Sequence, residues 1–263
     1  MRVIPTLLLS LFLSAACVCA AHAAAPASVA ALGATPARQA AKLYDYDWQW
    51  RMRHNPELAT SVGDNRYNDR LSDMSLAASL EANAHNAAML KLARGIAAGK
   101  LSGQDALSHK LFVYEKEMAV KAAAFYPYVV QPITQQDGVH INFVQLVAQT
   151  PFKTTRDYRN YLARLRALPR YIDGVIAQLE HGMQSGWVAP SANLRIVPDQ
   201  IAQLGAKLME SPLATPFKEI PLAVPAQERT RLAQAGTQAL QRDVAPALRK
   251  LEQFIRTRYA PAT

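Results

Sequence analysis

The chain has 263 residues, of which half are hydrophobic and 19% are charged, and its 29 basic and 20 acidic side chains give a formal net charge of +9. This apolar content excludes intrinsic disorder, and 11 glycines are too few for a collagen-like repeat. Two cysteines cannot form a disulfide-rich scaffold or a four-cysteine zinc site. The sequence therefore predicts a globular protein with one large domain or two small ones.

Residues 1–23 have the pattern of a secretory signal peptide. Arg2 precedes an apolar run over residues 3–21, and the small residues at its end predict cleavage between Ala23 and Ala24. The alternatives are a membrane anchor and lipid attachment at Cys17, but a serine occupies the position where a lipobox usually has leucine. We therefore expect a periplasmic or secreted protein, with no transmembrane helix after cleavage of the signal peptide.

Cleavage would remove both cysteines, so the mature chain could use neither thiolate chemistry nor cysteine metal ligands. Residues 24–40 are rich in Ala and Pro and predict a flexible leader. Residues 41–263 follow as a helical region.

Hydrophobic residues at steps of three and four predict helices through most of residues 41–263. Helices are expected near 41–54, 76–98 and 199–210, and three longer apolar stripes mark further helices. These stripes are Leu107, Leu111, Tyr114, Met118, Ala122 and Phe125; then Tyr158, Leu162, Leu165, Leu168, Ile172, Val175, Leu179 and Met183; and last Leu232, Leu240, Val244, Leu248, Leu251 and Ile255.

The ends and breaks of these helices can also be predicted. Thr154 and Asp157 resemble a capping pair, Pro169 should kink or divide the helix that follows, and Pro246 should interrupt the last stripe. Short extended segments fit 128–130 and 194–197, but no series of alternating strands could build a sheet. The predicted fold class is all-α: a multi-helix array with long Pro-containing loops.

No residue pattern of a catalytic or metal centre is present. The histidines of the mature chain lie at scattered positions and none belongs to an H-E-x-x-H motif: His54, His85, His109, His140 and His181. The sequence also contains no G-x-S-x-G elbow and no complete P-loop. We therefore predict no catalytic residue, no metal ligand and no cofactor in this chain.

Two groups of charged residues have structural interpretations. Asp45 and Asp47 lie two residues apart, so a helix aims them at different faces. Glu115 and Glu117 are expected on the solvated side of the helix that carries Leu111.

The C-terminal segment is basic. Residues 225–263 carry seven basic side chains against three acidic ones, a local excess that could bind an anionic partner. Because only two aromatic residues accompany these charges, a nucleic acid is not predicted as the partner.

Residues 44–75 carry the most information, because two tryptophans and two tyrosines precede a dense polar turn. The turn has two interpretations: a rigid structural turn held on the first helix, which the sequence favours, or a polar cleft wall that contacts substrate. The candidate cleft-wall residues are Asp64, Asn65, Arg66, Asp69 and Arg70.

The same segment carries a resemblance to a known family. The pattern W-x-W-R, followed by N-P-E-x-A-T-x-x-G-D-N-R-Y-N-D-R-L-x-D-x-S, resembles the start of the bacterial family called domain of unknown function 885. Residues 127–190 and the step Ile201-Ala202-Gln203-Leu204 agree with it, and the resemblance covers about residues 42–260.

This resemblance implies an exported or lipid-anchored, mostly helical protein, similar to zinc peptidases of the H-E-x-x-H type and more than twice as long as this chain. In such proteins the zinc motif lies in the C-terminal half. The chain is then expected to be a truncated N-terminal half and an incomplete domain. It would form a cleft wall for a peptide substrate but would be inactive alone, with zinc only in the missing half.

Two other interpretations stay open. The chain could be a self-sufficient binding module of the cell envelope that uses its basic C-terminal helix. It could also be one chain of a two-chain peptidase whose second chain supplies the C-terminal half.

Overall fold

A computed structural model describes residues 26–263; the predicted signal peptide, its cleavage site and Cys17 lie outside the described residues. Residues 26–263 contain helices and no strand, which confirms the predicted all-α class. Within this range no helix combines the length and the apolar character needed to cross a bilayer.

The α-helices follow one another along the chain, and the connections between them include the longer loops 62–75 and 126–138. They are α1 (Val29–Leu32), α2 (Pro36–His54), α3 (Pro56–Ser61), α4 (Leu76–Arg94), α5 (Gly103–Phe125), α6 (Val139–Gln149), α7 (Thr155–Ser185), α8 (Val197–Ala206), α9 (Thr215–Lys218), α10 (Ala226–Ala239) and α11 (Ala245–Phe254).

The segment predicted as a flexible leader, 24–40, contains helical residues from Val29 onward, which corrects that prediction. The Thr35 hydroxyl accepts a hydrogen bond from the backbone N–H of Arg38, and proline at the first helical position needs no hydrogen-bond partner for a backbone N–H. Leu32 is buried in an apolar cluster with residues of α2 and α4. The cap and this burial fix residues that composition alone describes as flexible.

The longest helix, α7, begins and ends as its sequence predicts. Thr154 and Asp157 form a reciprocal capping box, and Gly186 ends the helix in the left-handed conformation with φ of 78°. The helix runs through Pro169 without being divided there. Its length lets one helix contact both halves of the described chain.

The larger apolar core surrounds α7. Tyr158, Leu165, Ile172 and Leu179 recur every seven residues on one face and are at most 1% exposed. They belong to a cluster with buried residues of α6 and α8–α11. The predicted interruption before Pro246 takes the form of a π-helical segment, Leu240–Val244, which joins α10 to α11.

A smaller apolar cluster joins α1, α2 and α4, and Phe112 and Val113 of α5 pack against it. The predicted apolar stripe of α5 does not pack against this cluster. Leu107, Leu111, Tyr114 and Phe125 are 51%, 58%, 61% and 79% exposed. The predicted solvated side is confirmed for Glu115, which is exposed, whereas Glu117 is half-buried and Lys116 between them is 2% exposed.

Two further predictions differ from the structure. The segments 128–130 and 194–197 are not extended strands, and the second contains the start of α8. Helix α6 was not predicted, although Val139, Phe143 and Leu146 are spaced as one helix face and all three are buried. A connection rich in proline precedes α6, and it obscured this short pattern.

Candidate functional site

An open cleft of about 760 Å³ lies where the end of α2, α3, the segment 70–75 and the start of α4 meet α7. Trp50, Tyr171 and Val129 give it aromatic and apolar surface. Its charged lining combines three cationic or titratable residues with three carboxylates: Arg53, His54, Arg70, Glu57, Asp73 and Glu81. The cleft is large enough for a ligand of peptide or cofactor size.

The three carboxylates of the cleft all have partners in the protein. Glu57 accepts hydrogen bonds from the backbone N–H and the hydroxyl of Ser72. Glu81 Oε1 lies 3.3 Å from His54 Nε2. Asp73 has a separate structural role at the start of α4.

Asp73 accepts the backbone N–H of Ser75 at 2.9 Å and pairs with Arg170 at 3.2 Å. The hydrogen bond from the Ser75 backbone is the main reason why the pKa of Asp73 lies below its ordinary value; the charge of Arg170 adds to it, and partial burial opposes it. The carboxylate therefore supports the chain entering α4.

The Trp50 indole is stacked between two histidines. The rings of His54 and His85 each lie 3.9 Å from the Trp50 ring centroid, inclined by 14° and 8°. Two imidazole rings that lie parallel to the indole at this distance would overlap each other if both were on the same face of Trp50. The two histidines therefore lie on opposite faces of the indole. His54 donates from Nδ1 to the Trp50 carbonyl at 2.9 Å. Trp50 and His54 thus line the cleft as stacked rings, and the buried His85 supports the other face of Trp50.

A buried charge network supports this stack from behind. His85 Nε2 lies 2.8 Å from Oδ1 of Asp47, and Lys116 Nζ lies 2.9 Å from Oδ2. Burial raises the pKa of Asp47, but the hydrogen bonds and charges of His85 and Lys116 together outweigh burial and hold the pKa below its ordinary value. The network joins α2, α4 and α5 behind the cleft.

The predicted cleft-wall turn divides into two parts. Asp64 and Arg66 form an ion pair at 2.6 Å, and Arg66 also donates to Gln49 of α2 at 2.7 Å. The hydrogen bond from Arg66 lowers the pKa of Asp64. Asn65 accepts a hydrogen bond from the Asn68 amide at 2.8 Å. Asp64, Asn65 and Arg66 do not line the cleft, and their contacts are those of a structural turn.

The second part of the turn does reach a concave surface. Arg70 lines the cleft, and Asp69 and Arg70 line a neighbouring hollow of about 320 Å³ that also includes Arg170 and Tyr171. Whether a ligand contacts them stays a prediction.

The buried Arg164 of α7 holds the turn in place. Arg164 is 0% exposed, and its Nε donates to the Arg70 carbonyl at 2.8 Å. Its Nη2 donates to the Pro56 carbonyl at 3.1 Å and to the Thr60 hydroxyl at 2.7 Å. One guanidinium thus fixes both ends of the segment 56–70 on α7, in the fork geometry that only arginine provides. No local sequence pattern indicates this role of Arg164.

Zinc, which the family resemblance implies, does not fit the described residues. No group of three or more His, Cys, Asp or Glu side chains in residues 26–263 is arranged to hold a metal ion. His85 and His54 are engaged with Asp47, Glu81 and Trp50.

Four basic residues of the C-terminal helices form ion pairs. Arg231 pairs with Glu228 within α10, whereas the other three pairs reach α7 and α8: Lys250 with Asp173, Arg256 with Asp199 and Arg258 with Glu180. Such exposed pairs stabilise little, but they neutralise four of the seven basic residues that the sequence offers to an anionic partner.

The fold and the cleft define an all-helical protein with an open charged cleft. The chain belongs to the family described as "bacterial protein of unknown function (DUF885)", whose sequence model matches residues 56–263. No curated protein matches the chain significantly.

One similar solved structure is "the crystal structure of the putative lipoprotein from Colwellia psychrerythraea". The TM-score is 0.72 at 15% sequence identity, and the match covers 83% of this chain and 40% of that chain. This chain therefore spans less than half of the length of that protein. The match supports the helical fold, and peptidase activity stays a prediction.

Proposed function

We propose that this helical region forms one wall of a peptide-binding cleft in an exported DUF885 protein. The opposite wall and the zinc site belong, in this proposal, to a polypeptide region outside residues 26–263. The observation that carries the proposal is the apolar stripe of α5, which faces solvent while the polar Lys116 of the same helix is buried.

Exposed apolar stripes of this kind are typical of interaction surfaces, because water contact with several large side chains is unfavourable. Leu107, Leu111, Tyr114, Met118 and Phe125 follow one another along the 23 residues of α5. A second polypeptide region packed on this stripe would remove these side chains from water.

The similar solved structure supports a covering region that belongs to the same longer polypeptide. Its matched part is 40% of its chain, so more than half of that protein has no counterpart in the matched residues. A second copy of this chain fits the stripe poorly. Lys110 and Lys121 are exposed beside it, eleven residues and therefore about three turns apart, and antiparallel pairing would place Lys110 near the other copy's Lys121.

A peptide is the proposed ligand because the cleft combines apolar, aromatic and charged surface in about 760 Å³. Zinc-dependent hydrolysis would require ligands and a base that residues 26–263 do not bring together, so the chain alone should hydrolyse no peptide. Export is proposed from the apolar pattern of residues 1–23, and the description of the similar protein as a lipoprotein agrees with it.

The test begins with the DNA beyond the codon for Thr263. We expect a continuing or adjacent reading frame that encodes H-E-x-x-H, and its product should bind this chain and confer peptidase activity on the pair. The double variant L111Q/Y114Q should weaken that binding at least tenfold. L222Q is the matched control, because Leu222 is 86% exposed outside the stripe.

The chain alone provides a second measurement. It should bind a dye specific for apolar surface, and L111Q/Y114Q should reduce that binding whereas L222Q should not. A monomer that binds no dye, together with the absence of an adjacent zinc-motif frame, would contradict the proposal. Binding to phospholipid vesicles through the stripe would assign the stripe to a membrane instead.

A further inference from the structure

The acidic side chains that line the cleft have partners in the protein, but its two arginines do not have strong ones. Its three carboxylates have protein partners, as described above, whereas Arg53 forms no ion pair with any carboxylate of residues 26–263. Arg70 pairs only with Asp69, at 3.5 Å and with both side chains about half exposed. Exposed pairs of this kind contribute little, so Arg70 is available to a ligand. The cleft therefore offers two cationic groups to an anion.

A small apolar recess of about 50 Å³ adjoins the cleft. It shares Glu57, Leu71, Asn142 and Tyr171 with the cleft, and its inner surface is formed by Val139, Phe143 and Leu168. Such a volume holds roughly four water-sized groups, which is the size of a small branched aliphatic side chain.

The Tyr171 side chain lies at the junction of the recess and the cleft. Its hydroxyl forms no hydrogen bond within the described residues. Burial, with a smaller effect of the Glu57 and Asp137 charges, raises the pKa of Tyr171, so the phenol keeps its proton at physiological pH. A neutral phenol can donate a hydrogen bond to a ligand carbonyl or carboxylate.

We propose that the cleft binds a peptide through a carboxylate that pairs with Arg53 and Arg70 and through an aliphatic side chain that enters the recess. This inference rests on the proposed function, because it specifies the peptide that the cleft wall recognises. An arginine–carboxylate pair is charge-assisted and can be bidentate, which distinguishes an acid from its amide.

The experiment compares three probes on the purified chain by calorimetry and by tryptophan fluorescence, since Trp50 lines the cleft. The probes are acetyl-Ala-Ala-Leu with a free carboxyl terminus, its C-terminal amide, and acetyl-Glu-Ala-Leu amide. The free acid should bind about tenfold more tightly than its amide. The glutamyl amide shows whether a side-chain carboxylate can replace the terminal one.

Arg53→Gln should reduce the affinity for the free acid to that for the amide, and Arg53→Lys should restore part of the difference. Arg195→Gln is the matched control, because Arg195 is exposed, lies outside the cleft and loses the same charge. Replacing the leucine of the probe by glycine should weaken binding in every variant, since the recess then stays unfilled.

The outcomes separate the two proposals. If acid and amide bind equally, or if Arg53→Gln has no more effect than Arg195→Gln, carboxylate recognition is wrong while peptide binding stands. If none of the peptides binds either to the chain alone or to its complex with the product of the zinc-motif reading frame, the proposed function itself is contradicted, and this inference with it. If inorganic phosphate displaces the acid at equal concentration, the cleft is a general anion site and the peptide carboxylate is not its specific ligand.

Discussion

Lys116 of α5 lies 2.9 Å from Asp47 of α2, and neither side chain is more than 4% exposed. His85 of α4 contacts the other oxygen of the same carboxylate at 2.8 Å. One anion thus joins three helices, and the Lys116 ammonium also donates to Asn86 at 3.3 Å and lies 5.2 Å from the centre of the Phe112 ring. Each charge in this network compensates for the loss of hydration of the others.

Asp47→Asn tests how much the fold depends on this network. The asparagine keeps the shape of the side chain but leaves the buried Lys116 ammonium with only the half-exposed Glu115, at 3.6 Å, as a counter-charge. Loss of the buried partner costs about 3–5 kcal/mol. For a chain of this size that corresponds to a fall in Tm of roughly 6–20 °C. Thermal unfolding followed by circular dichroism measures it.

Asp45→Asn is the control for this variant. Asp45 lies two residues earlier on the same helix, is exposed and contacts only Gln49, so its replacement should change stability by less than about 0.5 kcal/mol. Adding Lys116→Met to Asp47→Asn should recover part of the loss, because the unpaired charge is then removed. Equal melting temperatures for the two single asparagine variants would contradict the role of the network.

The decrease in the free energy of unfolding at acidic pH should depend on His140. This side chain is 6% exposed, its Nε2 donates to Gln200 Oε1 at 3.3 Å, and its Nδ1 has no partner. Burial lowers the pKa of His140, and the Gln200 hydrogen bond and the charge of Asp137 only partly oppose this.

The direction in which stability changes with pH follows from proton uptake by His140. Above pH 6.5 the histidine is neutral in the folded and the unfolded chain, so it has no effect on stability. Below that pH the unfolded chain binds the proton and the folded chain does not, so the free energy of unfolding falls until the folded pKa is reached. His140→Gln should flatten the profile between pH 6.5 and 5, measured by urea unfolding.

His54→Gln is the comparison for this experiment. The His54 ring is half-buried on the cleft surface, and its replacement leaves His140 untouched, so the decline on acidification should persist. A profile that is identical for wild type and His140→Gln would show that the buried ring does not control the acid side.

Hydrophobic periodicity predicted where α5 lies but not which side of it is covered. The stripe from Leu107 to Phe125 is a real helix face, and a pattern of apolar residues usually marks the buried side. Here the buried side is chosen by polar partners on other helices, Asp47 and Asn86 for Lys116. Such pairings across 30 or more residues leave no periodic signal in one sequence.

The polar turn also shows that a local sequence pattern does not predict contacts between residues far apart in the chain. Asp64 and Arg66 lie two residues apart and pair with each other, so this contact is local in the sequence. The hold of Arg164 on the turn was not predicted, since its acceptors lie 94 and 108 residues away in sequence. The helices of the large core, whose caps and periodicity are local, were largely predictable; the cleft, built from five separate segments, was not.

The close approach of α7 to the start of α4 gives the last prediction. A Cβ on Gly174 would lie 2.7 Å from the backbone carbonyl carbon and from the Cβ of Met74. Near it, Gln178 of α7 donates to the carbonyl of Met74 at 3.2 Å and to the hydroxyl of Ser79 at 3.0 Å. These contacts between α7 and the start of α4 fix the segment 70–79, which forms one side of the cleft.

Gly174→Ala should therefore push α7 and residue 74 apart and destabilise the protein by about 1–3 kcal/mol. Gly205→Ala is the matched control: Gly205 lies in α8, no atom lies within 4 Å of its Cβ position, and alanine should stabilise the helix there by about 0.5–1 kcal/mol. Urea unfolding measures both free energies. The two variants should shift the midpoint in opposite directions because they make the same chemical change in a helix and differ only in the space beside it. A stabilising effect of Gly174→Ala would show that α7 packs less tightly against Met74 than these distances require.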